Sequence, residues 1–326
     1  MTSLVEQDMV MRSRAGTIVA LIAASTLGLV VFGAGFAATP AMRPLAQNSG
    51  LEPVDIELVL AVDVSYSMDP DEQELQREGY IQALTSREFM QALRQGVHGK
   101  IAITYFEWAG EHDQRIVVPW RMIDGPESAD AVAAEIARAP YRRAARTSIS
   151  GALMFAMPLF GGSGYRGLRR VVDVSGDGVN NNGPMVTLVR DELLMQGITI
   201  NGLPIMLKRP NFSTLDIEQL DVYYEDCVIG GPGSFAIPIK NRDQFKEATR
   251  SKLVLEVAGR VPLARIMPTA ADVPRISCTI GERLWRERWG NRLNWISARI
   301  SPPPRHAPNS GTGRPASPSS AGNRPR

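Results

Sequence analysis

The chain is poor in the residues from which most metalloenzymes and nucleic-acid binders are built. Its 326 residues include only three histidines, His98, His112 and His306, too few and too scattered for a histidine-built metal site. Only two cysteines occur, Cys227 and Cys278, neither with a cysteine or histidine at metal-ligand spacing, which argues against zinc. Excess charge is missing as well: 36 Lys and Arg face 34 Asp and Glu, a formal net charge of +2. The basic residues are spread out or sit in the tail, so nucleic acid is not an expected partner. There is no GxSxG elbow with a histidine partner and no GxxxxGK phosphate loop, the signatures of common hydrolases and nucleotide binders. No internal repeat is present. What remains is a 44% hydrophobic, 21% charged chain, with ample material for a core.

The N-terminus carries the longest apolar stretch. Arg12 and Arg14 precede a run without charge from Ala15 to Met42, with its apolar heart from Ile18 to Phe36. Gly35 and Ala37 are small residues suited to cleavage after Ala37. The stretch is also long enough to span a bilayer, which takes about 20 apolar residues. A cleaved secretory signal and an uncleaved membrane tether through residues 15–38 both fit. Either one exports the rest of the chain, to the periplasm, to the periplasmic face of the inner membrane, or beyond. Two cysteines suit such a compartment; the sequence leaves open whether they pair, and it leaves the oligomeric state open too.

Past a polar linker from Gln47 to Val54, short β-branched runs alternate with helical stretches. Strands are expected at Ile56–Val62, Lys100–Phe106, Arg115–Trp120, Arg170–Val174, Thr199–Ile205 and Phe235–Ile239. Helices are expected at Asp71–Leu84, Arg87–Leu93, Ala129–Ala139, Ser150–Leu159, Met185–Gln196 and Gln244–Ala258, the last closed by Gly259. Such alternation implies a doubly wound α/β domain, a mostly parallel sheet with helices on both faces. Arg115–Trp120 follows its neighbour without a helix and contains Pro119, so it is expected antiparallel and at the edge. The chain thus divides into a signal or anchor with linker (1–46), an α/β domain (54–259), an extension with a Trp/Arg-rich helix (260–300) and a disordered Pro/Ser-rich tail (301–326). The tryptophan-bearing segment, Glu282–Ile300, reads as a helix packed on its own domain or as a membrane or partner contact.

The stretch LAVDVSYSMDPDE places Asp63, Ser65 and Ser67 directly after an apolar strand. Fully extended, these alternate residues would spread over roughly 13 Å, so they meet only if the chain curls after Val62. Open parallel sheets collect ligands at such carboxyl ends. One carboxylate and two hydroxyls are hard oxygen donors, suited to Mg2+, Mn2+ or Ca2+. Thr147, in RTSISGAL just before a helix, and Asp177, in VVDVSGDGVNNNG just after a strand, occupy equivalent ends. Asp69 and Asp71 suit the start of the following helix or a second cation. Asn180, Asn181 and Asn182 suit a turn or the rim of the binding face.

DVSYS, TSISGAL and SGDG, in this order, closely resemble the von Willebrand factor A domain over about Ile56 to Ala258. In that family these residues form a metal-ion-dependent adhesion site. The resemblance implies that Ser65 and Ser67 hold the ion directly, Thr147 directly or through water, and Asp63 and Asp177 largely through water. Its implied cofactor is Mg2+, or Mn2+ or Ca2+, and its implied partner is a protein presenting a carboxylate. The chain also resembles a group of uncharacterised bacterial exported proteins with such a domain. Two other functions compete. One is a non-catalytic envelope scaffold with a vestigial site. The other is a phosphatase-like hydrolase with Asp63 as nucleophile, disfavoured because Ser65 stands where the second aspartate is needed as acid/base. The expectation is therefore a binding module, not an enzyme.

Overall fold

β1 (Glu52–Asp63) is buried over almost its whole length, as a central strand covered on both sides must be. Ile56, Leu58, Leu60 and Val62 enter one core while Val59 and Ala61 enter the other, the two-residue alternation of an extended chain. The structure, a computed structural model, describes residues 50–207, 216–259 and 274–290. The expected signal or anchor at 1–46, most of the extension and the tail at 301–326 lie outside the described residues. Among the described residues no helix is long and apolar enough to cross a membrane.

β1 pairs in parallel with β2 (Ile101–Trp108) on one side and with β4 (Tyr165–Gly176) on the other. β4 pairs in parallel with β5 (Ile198–Pro204). β3 (Gln114–Ile123) runs antiparallel to β2, with a register shift near Pro119, and closes that edge. The sheet order is β3-β2-β1-β4-β5. This is the expected fold class, including the antiparallel edge. Its chain direction of travel reverses between β1 and β4, the switch point where such sheets open a crevice.

Helices cover both faces. α1 (Pro70–Leu84), α2 (Arg87–Arg94), α3 (Pro126–Arg138) and α7 (Phe245–Ala258) lie over one. α4 (Ile149–Leu159), α5 (Val186–Met195) and the short α6 (Leu220–Tyr223), continued by a π-helical turn Tyr224–Val228, lie over the other. Gly259 ends α7 at φ 63°, the left-handed cap that glycine supplies without a Cβ clash. A further short helix, α8 (Ile280–Trp285), follows in the extension. Cys227 and Cys278 are joined in a disulfide, which anchors the start of α8 to the π-helical turn.

The expected strand at Phe235–Ile239 is corrected. Ala236 and Ile239 make isolated bridges to Gly202 and Ile205 along the outer edge of β5. Gly202 N–H donates to Phe235 O and Met206 N–H to Ile239 O. Between them stands Pro204, which has no N–H for the intervening rung, so the ladder is interrupted. The helical segment at Leu220–Val228 was not expected from the sequence.

Candidate functional site

The curl after β1 is produced by Asp63 itself. Its side-chain Oδ1 accepts the Ser65 N–H at 2.7 Å, and Met68 N–H then donates to Ser65 O at 3.1 Å. The chain bends at once, and the alternate side chains that extension would separate come together. Ser65 Oγ and Ser67 Oγ lie 2.6 Å apart. Ser67 Oγ donates to Asp177 Oδ1 at 2.6 Å, and Thr147 Oγ1 lies 3.5 Å from Ser65 Oγ. The structure therefore brings all five sequence-predicted residues to one place, at the carboxyl ends of β1 and β4.

Thr147 arrives there because its loop pairs with the β1 loop. Ala144 N–H donates to Val64 O at 3.1 Å and Tyr66 N–H to Ala144 O at 2.9 Å. Two arginines of the YRRAART turn fix this pairing. Arg142 donates from Nε to Glu107 Oε2 at 3.2 Å and from Nη1 to Asp113 Oδ1 at 2.5 Å. Buried Arg77 reaches Glu107 Oε1 at 2.8 Å. Arg143 Nη2 donates to the carbonyls of Tyr66 and Met68 at 2.8 and 2.6 Å. Arg77 and Glu107 form a buried ion pair that Arg142, half-buried, extends, whereas Arg143 is exposed and donates to carbonyls.

The asparagine run does more than turn the chain. Thr147 N–H donates to Asn181 Oδ1 at 3.1 Å, and Asn181 N–H returns to Thr147 O at 2.9 Å. Fully buried Asn180 accepts from Ser150 N at 3.0 Å through Oδ1 and donates through Nδ2 to Glu282 Oε1 at 2.7 Å. Glu111 N–H donates to Asn182 Oδ1 at 2.9 Å. Asn180 and Asn181 thereby lock the loop after β4 to the start of α4 and the loop before it, and Asn182 ties it to the β2–β3 turn. Asp69, by contrast, caps α1: Glu72 N–H donates to its Oδ1 at 2.8 Å and Glu72 Oε2 accepts from Asp69 N at 3.0 Å, a capping box. Arg142 and Arg143 were missed as site-forming residues, and the asparagines, expected as a turn or a rim, act as staples. The signal available was an arginine-dense turn and a triple asparagine flanking two of the motifs.

The electrostatics are those of two carboxylates in a buried corner. Asp63 is completely buried, and its Oδ2 accepts no hydrogen bond among the described residues. Burial first, and the Asp177 carboxylate second, push the Asp63 carboxyl well above its ordinary range, against hydrogen bonds from Ser65 and from the Asp177 backbone. A bound dication would reverse both effects. A Cβ at Gly176 would stand 2.8 Å from Asp63 Oδ2, and one at Gly178 would stand 3.5 Å from Thr147 Oγ1 and 3.8 Å from Ser67 Oγ. Gly176 is what leaves room for the Asp63 carboxylate, whereas a Cβ at Gly178 would make ordinary contacts only. The donors are three hydroxyls and two carboxylates, which suits a hard dication. Among the described residues no group of three or more His, Cys, Asp or Glu is placed to hold a metal.

Among solved structures, the chain is similar to a von Willebrand factor type A protein from Catenulispora acidiphila, at 13% identity and TM-score 0.44, covering 64% of this chain and 43% of that one. It is similar to proximal thread matrix protein 1 from the mussel byssus with a zinc-occupied MIDAS motif, at 14% identity and TM-score 0.44, covering 64% and 49%. The pilus adhesin SpaC from Lactobacillus rhamnosus GG, in its open conformation, is similar at 13% identity and TM-score 0.46, covering 64% and 30%. The chain spans half or less of the length of these three proteins. No curated protein matches the sequence. Residues 53–261 match the model of the family described as "Protein of unknown function (DUF1194)", and the chain belongs to that family.

Proposed function

We propose that the chain is a divalent-metal-dependent protein-binding module that acts outside the cytoplasm and grips an acidic residue of its partner. Asp63, Ser65, Ser67, Thr147 and Asp177 would hold the ion, as in the metal-ion-dependent adhesion site of von Willebrand factor A domains. The observation that carries the reading is the convergence of these five side chains around Asp63, whose second oxygen is buried without a partner among the described residues. Bound there, Mg2+ (or Mn2+ or Ca2+) supplies an electrophilic position that a partner's carboxylate can fill. Ser65, Ser67 and Thr147 contribute neutral oxygens, so little of the ion's charge is cancelled by direct contacts. Asp63 orients Ser65 through the backbone, and Asp177 orients Ser67 through its hydroxyl.

Catalysis is not part of this reading. Ser65 occupies the place where an Asp-nucleophile phosphatase needs an acid/base, and a serine hydroxyl does not titrate in the useful range. Export is supported by the disulfide between Cys227 and Cys278, a bond that persists in oxidising compartments, and by the uncharged run after Arg14. Capture of partners from an envelope extract tests the reading. Proteins retained by the wild type should be released by a chelator and should not be retained by Asp63→Ala. Retention that ignores both changes would contradict it.

A further inference from the structure

Arg146 directly precedes Thr147 in the chain, and among the described residues its guanidinium has no carboxylate partner. Among the described residues it is the one non-glycine residue at positive φ, 77°, a strained backbone of the sort that gathers at functional sites. Its guanidinium carbon lies 3.2 Å from the centroid of the Trp285 ring. Its Nη1 is buried with no hydrogen-bond partner, and among the described residues no carboxylate pairs with it. The other arginines of the same turn are committed, Arg142 to Glu107 and Asp113, Arg143 to the carbonyls of Tyr66 and Met68.

Trp285 is held against this loop from three directions. The Cys227–Cys278 disulfide anchors the segment before it. Gly281 sits so tightly on the Asn180 carbonyl that a Cβ would overlap it. Glu282 accepts from Asn180 Nδ2 at 2.7 Å. The ring thus forms a fixed floor under a planar cation. Stacking occupies one face of a guanidinium, and with Nη1 buried the edge left for bidentate contact with a carboxylate is that of Nε and Nη2.

We propose that Arg146, braced on Trp285, binds a second carboxylate of an acidic peptide segment whose first carboxylate meets the metal position at Thr147. The inference rests on the metal-dependent reading above. Arg146 and Thr147 are consecutive, with Cα atoms about 3.8 Å apart, so both side chains start from one point of the loop and a partner segment with several acidic residues can serve both. The fitting partner is therefore a protein presenting a run of acidic residues rather than an isolated one.

Binding of two fluorescent Gly/Ser peptides to the full chain, one with a single Asp and one with four consecutive Asp, tests this with and without Mn2+. The wild type should prefer the four-Asp peptide by about fivefold, the upper range for a solvent-exposed ion pair. Arg146→Gln should abolish that preference while Mn2+ affinity and single-Asp binding stay unchanged. Arg146→Lys should restore part of it. Arg115→Gln, which removes the same charge from the exposed β3 edge, should leave it intact. Equal binding of the two peptides by the wild type overturns the inference, and the metal reading survives if Mn2+ still promotes single-Asp binding. Loss of Mn2+ affinity and single-Asp binding in Arg146→Gln also overturns it, because Arg146 is then a structural prop. If Mn2+ promotes neither peptide, the metal reading fails, while an Arg146-dependent preference under chelation still supports the anion-binding point.

Discussion

Ser67 Oγ donates to Asp177 Oδ1 at 2.6 Å across 110 residues of sequence. The contact joins the loop after β1 to the loop after β4, the two strands between which the sheet order reverses. With Asp63 buried beside them, two carboxylates share one desolvated corner, an arrangement that repels itself and that a cation would relieve.

Asp63→Asn should therefore separate folding from metal binding. The amide oxygen can still accept the Ser65 N–H, and the buried charge is gone. In chelator the variant should melt at or above the wild-type temperature. At a metal concentration 100 times Kd the wild type should gain about 2.7 kcal/mol, and the variant should gain none. Thermal melts of both proteins with Mg2+ or EDTA measure this.

Asn180→Ala removes a side chain that touches no predicted ligand yet locks both loops. Its loss leaves Ser150 N and Glu282 without their partner. A destabilisation of about 1–3 kcal/mol is expected, together with weaker Mn2+ binding. Urea unfolding and a Mn2+ titration of the variant check the two halves separately.

The disulfide closes a loop of 51 residues. By chain entropy it should contribute about 4 kcal/mol, so Cys278→Ser should fall below the oxidised wild type by an amount of that order. Denaturant unfolding with and without reductant measures it. The reduced wild type should match the variant.

A second buried ionic group lies under α7. Lys252 pairs with both Asp173 and Glu256, and all three are buried. Burial, and then Glu256, raise the Asp173 carboxyl to about 7 against the attraction of Lys252. The folded chain thus keeps a proton that the unfolded chain releases near pH 4. This contribution to stability is complete below about pH 4 and is lost as the pH rises toward 7. Between those limits the wild type should lose stability relative to Asp173→Asn. Unfolding midpoints of both proteins across pH 4 to 8 show it, and parallel curves would contradict it.

Much of this was legible in the sequence because it depends on local order. Alternating short runs and helices specify the doubly wound sheet, and Pro119 with the missing crossover helix marks the antiparallel edge. DVSYS, TSISGAL and SGDG carry the candidate site because each follows or precedes its element directly. What was not legible depends on distant partners. Nothing near Asp173 announces Lys252, and the arginine-rich YRRAART turn does not reveal its partners until Glu107 and Tyr66 come beside it. Cysteine count permits a disulfide without fixing it. The Phe235–Ile239 run has strand composition, but its pairing is cut by a proline in the neighbouring strand, Pro204.

Equilibrium Mn2+ binding to the full chain, counted as ions per chain, weighs most directly on whether the hydroxyl and carboxylate cluster is a metal site. The wild type should take up one ion at the site, and the double variant Ser65→Ala, Ser67→Ala should lose it while keeping a cooperative melt. A wild type that binds none, or a folded double variant that binds as well as the wild type, would contradict it.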